Sequence, residues 1–190
     1  MSREAAFQDD LKRILENVSS KYRFDGVEIS RVERDYPIGR KKADIIAFRQ
    51  KVIPFLIIET KRKFERTGYW RVRRNFRPLD ASVVGQAISY AALYKDLNGY
   101  VVPFFATANP NAIAVFRTPK DIETYVDLSK AYAGKYDQAI KPGCYAKLIQ
   151  EYLVISERIS KTWKYVEFLK SKFTNVSVVM RFREYFKGVS

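Results

Sequence analysis

Two apolar, β-branched runs lying close together constrain this chain most: residues 43–48 and residues 54–58. Runs of this length, separated by a short polar step, predict a buried β-hairpin. Each run carries charge, because Asp44 lies inside the first while Glu59 and Lys61 close the second. Buried charges are costly unless a partner such as a divalent cation compensates them. The end of this hairpin is therefore the candidate functional site.

The pairing of the two strands decides whether the carboxylates meet. Side chains alternate along a strand, so Glu59 faces one side and Thr60 the other. A two-residue turn at residues 50–51 places Asp44 opposite Ile57, on the same face as Glu59. A slip of one residue would move the two carboxylates to opposite faces. We expect the register that brings both carboxylates and the following ammonium together.

An Asp in one strand, followed by Glu-x-Lys at the end of the next, resembles the PD-(D/E)XK nuclease superfamily, with Asp44, Glu59 and Lys61 in the motif positions. The first motif reads Lys42-Ala43-Asp44, without the Pro that often precedes the Asp in this family. The resemblance implies a Mg²⁺- or Mn²⁺-dependent nuclease. Asp44 and Glu59 would ligate the ion, and Lys61 would position or deprotonate the attacking water.

The charge of the chain points to a polyanionic partner. The sequence holds 35 Lys and Arg against 21 Asp and Glu, a formal charge of +14. A generic basic protein would show the same imbalance, but the cations cluster near the candidate site, which favours nucleic acid, with DNA as the expected partner. A membrane surface is the weaker alternative. The sequence lacks an apolar run of spanning length and a signal-peptide pattern, so we expect a soluble, intracellular, cytoplasmic protein without a membrane partner.

Missing residue types narrow the chemistry further. The chain has no histidine, which excludes Ser-His-Asp and Cys-His catalysis and His-ligated zinc. Its one cysteine, Cys144, excludes an intramolecular disulfide and an iron–sulfur cluster. Catalysis by a metal with oxygen ligands remains, and carboxylates with Mg²⁺ or Mn²⁺ can supply it.

An amphipathic helix is predicted over residues 3–18, with apolar residues recurring at helical spacing from Phe7 onward. Glu4 extends the buried stripe of this helix. Two interpretations stay open: an acid favoured by the helix dipole in the first turn, or a metal ligand, since an early helix of the resembled family often contributes a Glu to the site.

A basic segment over residues 62–78 follows the Glu-x-Lys motif directly. It interleaves aromatic residues with seven cations: Arg62, Lys63, Arg66, Arg71, Arg73, Arg74 and Arg77. Guanidinium groups pair with phosphate oxygens and aromatic faces stack on unpaired bases, so we predict nucleic-acid contact here. A solvated loop is the alternative.

A second helix is predicted over residues 81–97, capped by Asp80 and ending near Asn98-Gly99. Gln86 and Tyr90 lie four positions apart on its inward stripe. Gln-x-x-x-Tyr after the Glu-x-Lys strand resembles an extra motif of RecB-like exonucleases and of the nuclease domain of type I restriction enzyme R subunits. The resemblance implies that both residues contact substrate or support the catalytic groups. A core-edge Gln bonded to backbone is the alternative.

The order of elements predicts an α/β fold. A first strand over residues 27–33 and a turn over residues 35–40 precede the hairpin, and strands over residues 100–106 and 112–116 follow the second helix. Helix, three strands, helix and two strands should form a mixed central sheet flanked by helices. This order resembles the core of the PD-(D/E)XK superfamily, which implies a restriction-endonuclease-like core.

The remaining chain is helical in character, through Tyr145 to Ile155 and beyond. We expect a core of residues 1–118 and a helical extension of residues 119–190 packed on it. The tail mixes Arg and aromatic residues over 181–186. It could pack on the core, bind nucleic acid or form the seam of a homodimer.

These observations favour a metal-dependent nuclease that hydrolyses phosphodiester bonds in DNA. The alternative is a nucleic-acid-binding protein that keeps the fold without catalysis. Metal dependence distinguishes the two. A basic module that binds acidic protein surfaces is a third class, and it would not prefer nucleic acid over an equally charged polymer.

Overall fold

A computed structural model of the protein describes residues 3–21, 29–61, 65–67, 72–74, 76–110 and 112–158. Helix α1, Arg3–Lys21, opens the fold. The strands are β1 Ile29–Ile38, β2 Lys41–Arg49, β3 Ile53–Thr60, β4 Glu65–Thr67, β5 Val72–Arg74, β6 Phe104–Asn109, β7 Ala112–Arg117 and β8 Leu153–Arg158. The later helices are α2 Ala81–Asn98, α3 Ile122–Tyr125, α4 Leu128–Ala133 and α5 Cys144–Lys147, with a 3₁₀ turn at Tyr136–Gln138 and a π-helical turn at Leu148–Tyr152.

Six strands form one mixed sheet in the order β1-β2-β3-β6-β7-β8. Strands β3 and β6 are parallel, whereas the other neighbours are antiparallel. The parallel pair requires a crossover, and α2 lies in the connection between the two strands. The predicted mixed sheet flanked by helices is therefore confirmed.

Both faces of the sheet are covered, which explains why β2 and β3 read as continuous apolar runs. Alternate residues of these strands enter different cores. Ile45 and Ile58 pack with Leu11 of α1, whereas Ile46 and Ile57 pack against α2. The hairpin is thus sandwiched between the two long helices.

The register of the hairpin differs from the predicted one. Arg49 pairs with Ile53, so the loop has three residues rather than two. A β-bulge then adds one residue to β3, because Ala47 pairs with Leu56 and Phe48 with Pro54. Each departure shifts the pairing by one residue, so the total shift is two. At the bulge the successive residues Phe55 and Leu56 both pack in the core that includes α1, so the alternation of faces is interrupted there. The predicted pairing of Asp44 with Ile57 is wrong, because Ile57 pairs with Ile46.

The first strand is longer than predicted. Strand β1 continues through the segment expected as a turn and ends at Ile38. The chain then reverses at Gly39, whose φ of +59° suits glycine. Residues 27 and 28 lie outside the described ranges. The predicted strand over 100–106 begins later, at Phe104, and runs on to Asn109.

Helix α2 confirms its predicted limits, with Gly99 in the left-handed conformation at its C-terminal end. Asp80 precedes the first turn, but its side chain does not cap the helix; Oδ2 accepts a hydrogen bond from the Arg77 N–H instead. The backbone carbonyl of Asp80 accepts from the N–H of Val83 and Val84.

The prediction of helix as far as Ile155 is wrong. Residues 153–158 form β8, which pairs with β7 at the end of the sheet. Helical structure between residues 119 and 152 is confined to short pieces. The division into units at residue 118 stays a prediction, and the tail at 181–186 lies outside the described ranges. Within those ranges, no helix combines the length and apolar character needed to cross a bilayer.

Candidate active site

The three motif residues meet where β2 and β3 lie side by side. The ladder between the two strands ends toward the site with the pair of Ile45 and Ile58. Asp44 and Glu59 are the next residues of the two strands, and the negative charge of Asp44 acts on the Glu59 carboxyl.

Glu59 is the most deeply buried acidic residue of the site, with 1% of its surface exposed. Its Oε1 pairs with Lys61 Nζ. Its Oε2 is buried and, among the described residues, has no hydrogen-bond partner. Burial, followed by the negative charge of Asp44, raises the pKa of Glu59 to about 8, while Lys61 opposes this shift. The carboxylate therefore lacks the compensation that a second cation would give.

Lys61 stands two positions from Glu59, on the same face of the strand. Burial alone would lower the pKa of its ammonium, but the charge and hydrogen bond of Glu59, with the charge of Asp44, raise the pKa overall. Lys61 is therefore a fixed positive charge at neutral pH.

Asp44 is oriented by the residue between the two charged positions of β3. Thr60 donates two hydrogen bonds to Asp44 Oδ2, one from its N–H and one from its hydroxyl, both at 2.7 Å. Although Thr60 faces α1, as alternation requires, its hydroxyl still reaches the carboxylate. Oδ1 of Asp44 takes no part in these two bonds.

Glu4, in the first turn of α1, is electrostatically coupled to the site. Its negative charge contributes to raising the pKa of both Glu59 and Lys61. This proximity is what the ligand interpretation of Glu4 requires, whereas a dipole-stabilised first-turn acid need not lie near Glu59. Its role as a metal ligand stays a prediction.

Gln86 and Tyr90 approach the site from α2. Gln86 Nε2 donates a 2.9 Å hydrogen bond to the Tyr90 hydroxyl. Burial, and next the charge of Glu59, raise the pKa of Tyr90, which places this phenol within the field of the carboxylate. The tyrosine ring also packs edge-on against Tyr136, with ring centroids 5.7 Å apart. Gln86 thus bonds to a side chain rather than to backbone.

The basic segment begins and ends beside the site. Lys61, at its start, donates from N–H to the Ala108 carbonyl. At its end, Asn109 and Thr107 donate to the carbonyls of Phe76 and Pro78. These contacts hold both ends of the basic segment at the carboxyl ends of β3 and β6.

Between these two ends, β4 and β5 form a small antiparallel sheet. Arg66 pairs with Arg73, and Arg74 pairs with Glu65. Arg77 is exposed. Arg62, Lys63 and Arg71 lie outside the described ranges. Nucleic-acid contact by these seven cations stays a prediction.

The donor atoms of the site suit a hard divalent cation, since carboxylate oxygens are the ligands that Mg²⁺ and Mn²⁺ take in proteins. The buried, unpartnered Oε2 of Glu59 fits such an ion. Within the described ranges, however, no group of three or more His, Cys, Asp or Glu residues is arranged to hold a metal. Binding of a metal by Asp44, Glu59 and Glu4 stays a prediction.

Two residues of the site escaped sequence reasoning, namely Gln8 and Thr60. Gln8 Nε2 donates a 2.8 Å hydrogen bond to the Thr60 hydroxyl across 52 positions of sequence. One signal was available: Gln8 lies four residues after Glu4, a polar residue within the buried stripe of α1.

The mixed sheet, its order and its flanking helices define a restriction-endonuclease-like fold. The chain is similar to the crystal structure of the type IIG restriction endonuclease BpuSI, and the probability of the structural match is 1.00. The TM-score is 0.50 and the sequence identity is 16%. The match covers 95% of this chain but 17% of the endonuclease chain, so the likeness concerns the fold. No protein-family model and no curated protein matches the chain.

Proposed function

We propose that this protein is a divalent-metal-dependent nuclease of the PD-(D/E)XK type that hydrolyses phosphodiester bonds in DNA. One observation carries the proposal: the Glu59 carboxyl is buried within the field of Asp44, and its Oε2 has no hydrogen-bond partner among the described residues. A buried charge is tolerated when something compensates it. A divalent cation between the two carboxylates would do so.

Mg²⁺ or Mn²⁺ bound there would lower the pKa of a water molecule and stabilise negative charge on the phosphate. Asp44 and Glu59 would hold the ion, with Glu4 and a strand carbonyl as further donors. Lys61 keeps its proton at neutral pH, so its ammonium would orient the attacking water and offset charge that develops on the phosphate.

The surrounding groups would handle the substrate. Gln86 and Tyr90 form a hydrogen-bonded pair beside Glu59, suited to holding the scissile strand or the Lys61 end of the site. Strands β4 and β5 include three arginines, and the segment that holds them begins and ends beside the site. These cations would bind phosphates of the DNA backbone. Gln86, Tyr90 and their helix resemble the corresponding part of RecB-like exonucleases.

A second candidate is a DNA-binding protein that keeps the fold without catalysis. The ion pair of Lys61 with Glu59 favours it, because this contact partly neutralises the carboxylate without any metal. The lack of a third close acidic ligand in the described ranges points the same way.

Incubation with linear, circular, single-stranded and branched DNA, with and without Mg²⁺ or Mn²⁺, separates the candidates. The nuclease proposal expects cleavage that requires the metal and disappears in Lys61→Ala, while calorimetry still detects metal binding by that variant because Lys61 is not a ligand. DNA binding that is indifferent to metal, without cleavage of any substrate, would favour the second candidate.

A further inference from the structure

We propose that Gln8 and Thr60 are positioning residues that hold Asp44 in its metal-binding orientation through a directional hydrogen-bond relay starting at Arg34. This inference rests on the proposed function, because it assigns a role around the proposed metal ligand. Four side chains form the relay, and they come from β1, α1, β3 and β2 in turn.

The relay consists of three consecutive bonds. Arg34 Nη2 donates to Gln8 Oε1 at 2.9 Å. Gln8 Nε2 donates to the Thr60 hydroxyl at 2.8 Å. The Thr60 hydroxyl donates to Asp44 Oδ2 at 2.7 Å. All three lengths lie in the normal range for hydrogen bonds.

The donor and acceptor groups of these side chains decide which residue donates in each of the three bonds. A guanidinium has donors but no acceptor, so Arg34 must face the carbonyl oxygen of the Gln8 amide. The NH₂ group of Gln8 is then the end that meets Thr60, whose oxygen must accept. The single hydroxyl proton of Thr60 is thereby committed to Asp44.

Burial makes the arrangement hard to replace with water. Thr60 is fully buried and Gln8 is 7% exposed. Arg34 is itself anchored by an ion pair with Asp9, the residue after Gln8. Polar groups withdrawn from water bond more strongly and cost more when they lose a partner, so the relay resists rearrangement.

The relay ends on one oxygen of one ligand. Both bonds from Thr60 reach Asp44 Oδ2, and they fix the rotation of the carboxylate and hence the direction of Oδ1. Groups that orient a metal ligand from behind typically change metal affinity or activity by about 10- to 100-fold when removed.

Thr60→Val tests the relay because it removes the hydroxyl but keeps the side-chain shape and the backbone N–H. We expect Thr60→Val to bind Mn²⁺ about tenfold more weakly in calorimetry, and to need correspondingly more Mg²⁺ for half-maximal cleavage. Thr60→Ser, which restores the donor, should return both values close to wild type. Ser89→Ala is the matched control, since it removes a buried hydroxyl bonded within α2 to the Gly85 carbonyl; its Mn²⁺ affinity should equal that of wild type.

Gln8→Met interrupts the relay one step earlier and decides the question if Thr60→Val does not fold. Because the bonds act in series, the double variant should bind Mn²⁺ no more weakly than Thr60→Val alone. Wild-type Mn²⁺ affinity in both single variants would overturn the relay while leaving the nuclease proposal intact. Wild-type protein that binds no Mn²⁺ and cleaves no DNA would overturn both.

Discussion

Lys61 Nζ forms an ion pair with Glu59 Oε1, although the side chain of Glu59 is 1% exposed and that of Lys61 is 22% exposed. The ion pair gives Oε1 of Glu59 a partner, whereas Oε2 has no hydrogen-bond partner among the described residues. The negative charge of Asp44 adds to the effect of burial and raises the pKa of Glu59. Glu59 is therefore a group that holds a proton strongly when no second cation is present.

The first prediction concerns pH and the stability of the metal-free protein. Glu59 has an ordinary pKa of 4.5 and a pKa of about 8 in the folded state. The folded state thus binds more protons than the unfolded chain between these values, so the contribution of Glu59 to the free energy of unfolding falls as pH rises through this window. Glu59→Gln cannot ionise. We expect its melting temperature, relative to wild type, to be higher at about pH 9 than at about pH 5. A difference between the two proteins that does not change with pH would contradict this.

Metal binding should release a proton for the same reason. A cation that binds Glu59 needs the ionised carboxylate, whereas burial favours the protonated form below about pH 8. Calorimetric titration of Mn²⁺ at neutral pH, in buffers with different ionisation enthalpies, should show release approaching one proton, decreasing above about pH 8. Equal heats in all buffers at neutral pH would mean that Glu59 is not protonated before the metal binds.

Gln86→Ala should lower turnover by about tenfold, as expected for a residue that supports a catalytic group. Gln86 is half-buried, and the substitution removes one hydrogen bond, to the Tyr90 hydroxyl. The melting temperature should therefore change little. Tyr90→Phe, which removes the same bond from the other side, is the matched variant and should give a similar loss. A large fall in stability with full activity per folded molecule would make both residues core residues only.

The two strands of the hairpin were predictable from their apolar, β-branched runs. Their pairing was not, because the loop has three residues and a β-bulge follows it. The loop at residues 50–52 was not predictable, since Gln50 and Lys51 adopt positive φ without being glycine. The bulge beside Pro54 was missed, although proline has no N–H to donate to the ladder and is typical of bulges.

Other features depend on contacts between distant parts of the chain. The spacing of Leu148, Tyr152 and Ile155 fits a helix, but pairing with β7 makes a strand from Leu153 onward. The bond of Gln8 to Thr60 joins residues that local patterns cannot relate. Helix α2 was predicted well because its pattern and its terminal Gly99 are local signals.

DNA affinity should depend on the arginines of strands β4 and β5. Replacing Arg66, Arg73 and Arg74 with Ala should flatten the log-log dependence of duplex affinity on salt by about 2 to 3, since each neutralised phosphate contributes roughly 0.9. Lys120, Lys135 and Lys147 are exposed cations between β7 and β8, and their triple Ala variant removes the same charge. We expect a smaller change in slope from that control. Equal slopes for the two variants would place the binding face elsewhere.

Metal-dependent cleavage of linear duplex DNA by wild type and by Glu59→Gln tests the central claim most directly. Loss of a metal ligand removes several kcal/mol of transition-state stabilisation, so the variant should cleave on the order of a thousandfold more slowly. Its metal-free DNA affinity should equal that of wild type at neutral pH, where burial keeps the Glu59 carboxyl protonated, and exceed it above about pH 8, where Glu59 in wild type becomes negatively charged. Wild-type cleavage only with Mg²⁺ or Mn²⁺, abolished in a folded Glu59→Gln protein, is the predicted result. Folded wild-type protein that binds DNA but cleaves none at millimolar metal would contradict it.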